Sequence, residues 1–306
     1  MPRIHRAVVI LAVVLLATTV AFAREEGNFE RKLNVNGPVD LEVTTGSGDI
    51  VVSTGSDTAV QVNARVTVND NWLGSDNARE RLNRIIKNPP IAQDGNTIRI
   101  GRILDPSLRR NVSISYSIVV PAATTLRAQT GSGNQTVEGV KGAVSASTGS
   151  GDVRLARITG EVRANTGSGN IVAKAIAGGF SGNTGSGDIE VQQAAPGRVS
   201  VQTGSGNAVV ENVVGALHAE TGSGDITASG RATAAWDLRT GSGNVTLDLP
   251  QESAFQIEAR TSSGDIKVDH PLTMQGSVNR HEVRGTVRGG GAQLAVRTGS
   301  GDIRVR

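Results

Sequence analysis

Apolar and polar residues alternate along most of this chain, and the alternation changes phase at regular places. Between Asp152 and Gly169 the apolar or small positions are Val153, Leu155, Ile158, Gly160, Val162, Ala164 and Thr166. The phase shifts between Leu155 and Ile158, and again across the Gly-Ser-Gly that follows Thr166. A period of two predicts strands with one buried face, and two phase shifts in each repeat predict two bends.

A pentapeptide marks these repeats. Thr-Gly-Ser-Gly followed by Asp or Asn begins at Thr45, Thr130, Thr148, Thr166, Thr184, Thr203, Thr221, Thr240 and Thr298, with the variant Thr-Ser-Ser-Gly-Asp at Thr261. Repeats spaced roughly 20 residues apart are typical of stacked coils that bury their apolar faces against one another. We therefore predict an all-β fold, a single parallel β-solenoid with about 18 residues per coil, over residues 119–306. The sequence leaves its handedness open.

The interior of such a stack should be narrow. Aromatic residues make up only 2% of the chain, and 39 residues are glycine. Phe180 takes the place of Val162 one repeat later, and Gly182 then takes the place of Ala164. Pairing a large residue with a small one is what a thin packed core requires. By the same alternation, Thr166 should point inward.

Residues 24–118 are less regular. Leu41 to Val52 resembles one coil of the stack, while residues 75–87 have apolar positions at helical spacing and end before Asn88-Pro89-Pro90. We predict one short N-terminal helix there, which caps the open end of the stack or docks a partner.

The final repeat, Thr298 to Arg306, runs to the last residue of the sequence. In chain order this is the last coil, with nothing after it to cover its edge. Unpaired strand edges invite pairing with another chain. We therefore expect the C-terminal coil to support weak self-association.

Residues 1–23 have the pattern of a signal peptide. Arg3 and Arg6 precede an apolar run that ends at Ala21-Phe22-Ala23, a small-residue cleavage pattern. An uncleaved membrane anchor is the alternative, and the apolar run is short for that role. The pattern predicts export to the periplasm or the cell surface.

Composition narrows the function classes. Once Arg3 and Arg6 are removed, the remaining basic residues nearly balance the 28 acidic ones, and no basic patch is interleaved with aromatic residues. Nucleic acid is therefore not an expected partner. The absence of cysteine excludes disulfides and thiol catalysis.

The residue after each Gly-Ser-Gly forms the most suggestive column. It alternates strictly between amide and carboxylate along the chain: Asn134, Asp152, Asn170, Asp188, Asn207, Asp225, Asn244 and Asp265. A structural interpretation is a turn ladder, in which interposed asparagines keep like charges apart and their amides bond to both neighbours. Calcium binding is the alternative, with Asp152, Asp188, Asp225 and Asp265 as candidate ligands, although alternate coils lack the negative charge that this cation needs.

Enzymatic function has weaker support. Asp152 and Asp188 would lie roughly 9.5 Å apart, two coils from each other, at the outer limit for an inverting glycosidase pair. Regular columns offer no unique cleft, and His218, His270 and His281 form no recognisable triad or metal spacing. We predict no catalytic residues, no cofactor and a non-enzymatic protein.

Several features together resemble the bacterial putative-adhesin family of exported domains of unknown function. They are the signal-peptide pattern, the Leu41 to Val52 coil, Asn88-Pro89-Pro90-Ile91, the strand Ser115-Tyr116-Ser117-Ile118-Val119-Val120-Pro121 and the Thr-Gly-Ser-Gly-Asp repeats. The resemblance covers nearly all of residues 29–306. It implies an exported β-solenoid with a structural or adhesive role at the cell envelope, and it supplies no catalytic residues. The partner would be an envelope protein or a surface polysaccharide; a polysaccharide-binding module is the alternative function.

Overall fold

The structure, a computed structural model, describes residues 24–69, 78–274 and 280–306. These residues are mostly β, arranged in two long sheets with one α-helix, α1 (Ala78–Lys87), and a short 3-10 helix at Pro106–Leu108. The predicted signal peptide at residues 1–23 lies outside the described residues, as do the first three residues of the predicted helix.

Strands are numbered in chain order. The first sheet has 13 strands, in the spatial order β1 (Arg24–Asn34), β4 (Ala59–Asn69), β7 (Val112–Val120), β3 (Ile50–Thr54), β9 (Gln135–Glu138), β11 (Val153–Ile158), β13 (Ile171–Ile176), β15 (Ile189–Gln193), β17 (Ala208–Val214), β19 (Ile226–Arg231), β21 (Val245–Asp248), β27 (Ile303–Val305) and β23 (Ile266–Val268).

The second sheet has 14 strands. Their spatial order is β24 (Leu272–Met274), β25 (Glu282–Val287), β22 (Phe255–Ser263), β26 (Ala292–Ser300), β20 (Trp236–Ser242), β18 (Leu217–Ser223), β16 (Val199–Ser205), β14 (Phe180–Ser186), β12 (Val162–Ser168), β10 (Val144–Ser150), β8 (Thr124–Ser132), β2 (Val39–Ser47), β6 (Thr97–Ile100) and β5 (Ile91–Asp94).

Successive repeats place one strand in each sheet, and equivalent positions of neighbouring repeats pair in parallel. Val162 faces Val144 on one side and Phe180 on the other. In β12 the positions of Val162, Ala164 and Thr166 are buried and the two between them are exposed. The predicted alternation is therefore confirmed, and one hydrophobic core draws on both sheets.

The two phase shifts have distinct backbone causes. Arg157 has a φ of 54°, a left-handed conformation that turns two consecutive side chains away from the core inside β11. At the other bend Gly169 has a φ of 152°, and a Cβ on it would lie 2.0 Å from the carbonyl oxygen of Gly151 in the neighbouring repeat. Only glycine permits that approach of two backbones.

The predicted pairing of large and small core residues is confirmed. Phe180 is buried, and a Cβ added to Gly182 would lie 2.8 Å from its ring. The missing side chain at Gly182 is therefore the space that the Phe180 ring occupies.

The N-terminal region continues the same two sheets. β2 pairs in parallel with β8 and β3 with β9, so the predicted Leu41 to Val52 coil is confirmed. The predicted boundary between residues 118 and 119 falls inside β7 and stays a prediction. Strands β1, β4 and β7 pair antiparallel at the end of the first sheet.

The predicted helix is confirmed at residues 78–87. It packs on β1 and β4, with Leu82 and Ile85 buried. Gly27 of β1 makes room for it, because a Cβ there would lie 2.4 Å from the Cδ1 atom of Ile86. The helix thus covers the last two strands at this end of the sheet, the position expected of a cap.

The expectation that the final repeat is the open end of the stack is wrong. β26 lies between β20 and β22, and β27 lies between β21 and β23, so the last repeat is inserted between two earlier ones. The outermost coil is instead the one containing Thr261, and β25 and β24 continue its sheet antiparallel. The C-terminal strand therefore has no open edge for the self-association that was expected through it.

Candidate functional site

The threonine column is buried and bonded to the backbone. Each threonine hydroxyl donates to the carbonyl oxygen of the second glycine of the preceding coil in space, at 2.9–3.1 Å, for Thr130, Thr148, Thr166, Thr184, Thr203, Thr221, Thr240, Thr298 and Thr261. These side chains are at most 7% exposed. The inward orientation predicted for Thr166 is confirmed. The hydroxyls of this column form hydrogen bonds that join neighbouring coils.

The Asp/Asn column is a second ladder on the outside of the same bend. The backbone amide of each residue donates to the Oδ1 atom of the ladder residue in the preceding coil, at 2.7–2.9 Å, for Asn134, Asp152, Asn170, Asp188, Asn207, Asp225, Asn244, Asp302 and Asp265. Asp49 begins the column. The side-chain oxygen therefore caps an amide that the bend would leave unpaired.

This geometry corrects one detail of the predicted ladder. We expected the asparagine amides to bond to both neighbouring side chains. The contact is instead between a backbone amide and a side-chain oxygen, and it runs in one direction along the column. Asparagine and aspartate supply the same Oδ1 acceptor, so the alternation changes only the charge of the column.

The spatial order of the ladder differs from its order along the chain. Because the last repeat is inserted, Asp302 lies between Asn244 and Asp265. Two carboxylates are therefore adjacent at this end of the column. The Nε atom of Arg280 lies 2.6 Å from a carboxylate oxygen of Asp265 and holds the pKa of that carboxyl below its usual value.

The four calcium candidates are spread along the column. Asp152, Asp188 and Asp225 are separated from one another by asparagine coils, and Asp265 is next to Asp302. The second oxygen of Asp152 accepts a hydrogen bond from Arg154 at 2.7 Å. Within residues 24–69, 78–274 and 280–306, no group of three or more His, Cys, Asp or Glu side chains could hold a metal ion. Calcium binding stays a prediction without a described multidentate site.

His218 and His270 occupy unrelated environments. His218 lies on an exposed face between Glu220 and Asp237, at 3.7 and 3.6 Å. His270 is buried, with its ring edge-on to Phe255 at a centroid distance of 5.3 Å. Neither arrangement pairs a histidine with a nucleophile.

Sequence reasoning missed a cleft at the N-terminal end of the sheets. A cavity of about 470 Å³ is lined by the end of α1, the two prolines after it and the loop before the 3-10 helix; the lining residues include Ile85, Pro89, Pro90, Ile103, Leu104 and Leu108. Leu104 is 76% exposed. Arg99, Arg102 and Asp105 are the charged residues of the lining. The lining contains apolar surface and positive charge but no pair of groups suited to acid–base catalysis.

The repeats and the two-sheet architecture place the chain in a known family. The Toastrack DUF4097 family matches the chain over residues 92–306, and the chain belongs to it. The family resemblance predicted from the motifs is thereby confirmed. Among curated proteins, none matches this chain.

Two solved structures are similar to the chain. One is a putative adhesin from Bacteroides fragilis, at 14% identity and a TM-score of 0.42, covering 92% of this chain and 97% of that one. The other is a putative cell adhesion protein from Clostridium sporogenes, at 13% identity and a TM-score of 0.24, covering 92% of this chain and 99% of that one. Both TM-scores are too low for the likeness to indicate a shared function.

Within the described part of the chain, no helix has the length and apolar character needed to cross a membrane; α1 has only ten residues.

Proposed function

We propose that this protein is an exported, non-enzymatic scaffold with a structural or adhesive role at the bacterial cell envelope. The observation that carries the proposal is the engagement of the repeated polar side chains. The threonine hydroxyls and the Oδ1 atoms of the Asp/Asn column bond to the backbone of the neighbouring coil rather than converging on a cleft. Repeats whose polar side chains bond to the neighbouring backbone provide shape and rigidity.

We further propose that the two sheets are the two faces of one solenoid with about 18 residues per coil. Ten stacked repeats, separated by about 4.8 Å, would make a rod about 43 Å long. Such a rod presents rows of exposed side chains at fixed spacing, which suits it to holding a partner or to spacing one envelope component from another.

Export is supported by the basic residues, apolar run and small-residue cleavage pattern of residues 1–23. Protease treatment of intact cells separates the two locations. Digestion in intact cells would place the protein at the surface, whereas digestion only after the outer layer is opened would place it in the periplasm.

The role can be tested by deletion and complementation in the source bacterium. Adherence and detergent sensitivity are measured for the wild type, the deletion strain and strains complemented with Val162→Asp or Arg163→Asp. Val162 is buried and should not tolerate an unpaired charge, whereas Arg163 on the same strand is exposed and should. We expect wild-type and Arg163→Asp chains to restore adherence or detergent resistance, and the Val162→Asp chain to restore neither.

Two results would overturn the proposal. One is a deletion strain that adheres and resists detergent as the wild type does. The other is turnover of a polysaccharide by the purified chain, which would make it an enzyme. Saturable binding of a polysaccharide without turnover would instead favour the alternative function, a polysaccharide-binding module.

A further inference from the structure

Among the residues that the structure describes, the first sheet ends in a long strand with an open edge. β1 runs for 11 residues, Arg24–Asn34, and β4 is its strand partner within the described residues. The other sheet ends are much shorter: β5 has four residues, and β23 and β24 have three each. β1 is therefore the largest surface on which a further strand could pair.

The hydrogen bonds around β1 show which of its residues face that open edge. The amide of Val35 donates to the carbonyl of Thr58, and the amide of Asn69 donates to the carbonyl of Asn111, both at 3.0 Å. With the register of β1 on β4, the odd-numbered residues of β1 direct their backbone groups toward β4. The even-numbered residues direct theirs outward, namely Arg24, Glu26, Asn28, Glu30, Lys32 and Asn34.

The side chains of these even-numbered residues are also exposed. Two of them carry opposite charges at equal distances from Phe29, with Glu26 three residues before it and Lys32 three residues after it. Lys32 has no ion-pair partner among the described residues, while Glu26 has Arg24 at 2.7 Å on the same face. Antiparallel pairing reverses one strand, so it would bring these opposite charges together.

We propose that β1 pairs with β1 of a second copy of this chain, antiparallel, with Phe29 on the two-fold axis. In this register Glu26 lies opposite Lys32 and Asn28 opposite Glu30, each twice by symmetry. The backbone groups of all these residues point toward the open edge, so these residues form the hydrogen-bonded pairs of the ladder. The four inner pairs supply roughly eight backbone hydrogen bonds.

The charges select this register over its neighbours. A slip of two residues in one direction places Glu26 opposite Glu30. A slip of two in the other direction places Glu30 opposite its own copy. Like charges directly opposite each other destabilise a strand pair, whereas the proposed register has no such pair on the exposed face.

The inner face adds a packing contact. Phe29 is buried, with its ring edge-on to Tyr116 at a centroid distance of 6.5 Å. Residues on the axis of this register form a non-hydrogen-bonded pair, with Cα atoms about 4.5 Å apart. The two Phe29 rings would then extend one apolar core across the junction, and the first sheets of the two copies would become one continuous sheet.

The test is sedimentation velocity of the full chain purified from an expressing bacterium, with its N-terminus read by mass spectrometry. We expect the wild type to form a dimer at micromolar concentration. Glu26→Lys and Lys32→Glu each place two like-charged pairs in the homodimer, so each should weaken association at least tenfold. Arg163→Glu, which reverses an exposed charge on β12 away from the edge, should leave association unchanged.

The decisive arm mixes the two variants in equal amounts. One chain then carries only positive charge at these two positions and the other only negative charge, so both pairs are complementary. We expect the mixture to dimerise although neither variant does so alone, which also shows that both variants are folded. A wild type that stays monomeric at high micromolar concentration, or a mixture that associates no better than its components, would overturn the proposal.

Discussion

Replacing Ile303 with alanine tests where the C-terminal repeat lies. In chain order Ile303 belongs to the last coil, where truncation should cost little. In the structure β27 is sandwiched between β21 and β23, and Ile303 is only 1% exposed. Ile266 occupies the equivalent position in the true outermost coil, is partly exposed, and pairs directly with Ile303. Truncation should therefore cost more stability at Ile303 than at Ile266, which is the reverse of what chain order suggests.

The size of the stability loss at each position follows from how deeply the side chain is buried. Removing the buried methyl and methylene groups of Ile303 should cost about 3 kcal/mol once the cavity is included, within the range of about 2–5 kcal/mol for such truncations. At Ile266 the loss should be about half, since part of its side chain already contacts water. For a chain of this size 1 kcal/mol lowers Tm by roughly 2 °C. We expect drops of about 5–6 °C for Ile303→Ala and about 3 °C for Ile266→Ala.

Calorimetry of both variants provides the assay, with Arg304→Ala as a control at an exposed position of the same strand. The control should shift Tm very little, because Arg304 is exposed and its ion pair with Asp269, at 3.6 Å, contributes less than about 1 kcal/mol. A larger loss for Ile266→Ala than for Ile303→Ala would refute the inserted arrangement and return the last repeat to the open end.

Three further predictions concern the ladders. Thr184→Val should destabilise the chain by about 1–3 kcal/mol in chemical unfolding, because it leaves the carbonyl that accepted the buried hydroxyl unpaired. Arg280→Gln should lower Tm at neutral pH, because it removes the positive charge that offsets the repulsion between the adjacent carboxylates of Asp265 and Asp302. The folded-state pKa of Asp265 is depressed, so this difference in Tm should be present above about pH 4 and should close as the pH falls through the folded-state value. Replacing both Asn170 and Asn207 with aspartate should lower Tm in a way that added salt partly reverses, since it places carboxylates on five consecutive coils and exposed like charges are screened.

The repetitive part of the fold could be predicted because its information is local. The period of two fixes which face of each strand is buried, and the glycines of the pentapeptide mark the bend where two backbones approach. The inward orientation of the threonine column follows from the same alternation, since Thr166 lies on the strand face of Val162 and Ala164. Helix α1 was predictable for the same reason, since its apolar spacing and the prolines after it are contiguous in the sequence.

The order of the coils could not be predicted in the same way. Every repeat offers the same carbonyls and amides at the same spacing, so the pattern does not specify which coil stacks on which. One signal was present. Ser262 replaces the first glycine of the pentapeptide, where a Cβ on Gly299 would lie 2.5 Å from the carbonyl oxygen of Gly241. A side chain at this position is best tolerated in the last parallel coil, because no further parallel coil stacks on it and it can shift away from its neighbour.

The edge strand β1 and the cleft were missed for a different reason. Charged residues at alternate exposed positions of β1 leave only Phe29 as a strongly buried apolar residue, so the strand has little hydrophobic pattern. The cleft joins Ile85, Pro90 and Leu104, which belong to three separate segments. Its existence depends on tertiary packing, which a linear pattern does not contain.

If the polar columns are satisfied within the chain itself, they need no ligand. Differential scanning calorimetry in millimolar calcium, and in chelator at matched ionic strength, tests this. We expect the same Tm in both solutions, because the Oδ1 atoms along the column already accept hydrogen bonds from backbone amides of the next coil. A Tm several degrees higher in calcium, not reproduced by sodium, would show that a cation binds the folded state, and it would contradict the structural interpretation of the column.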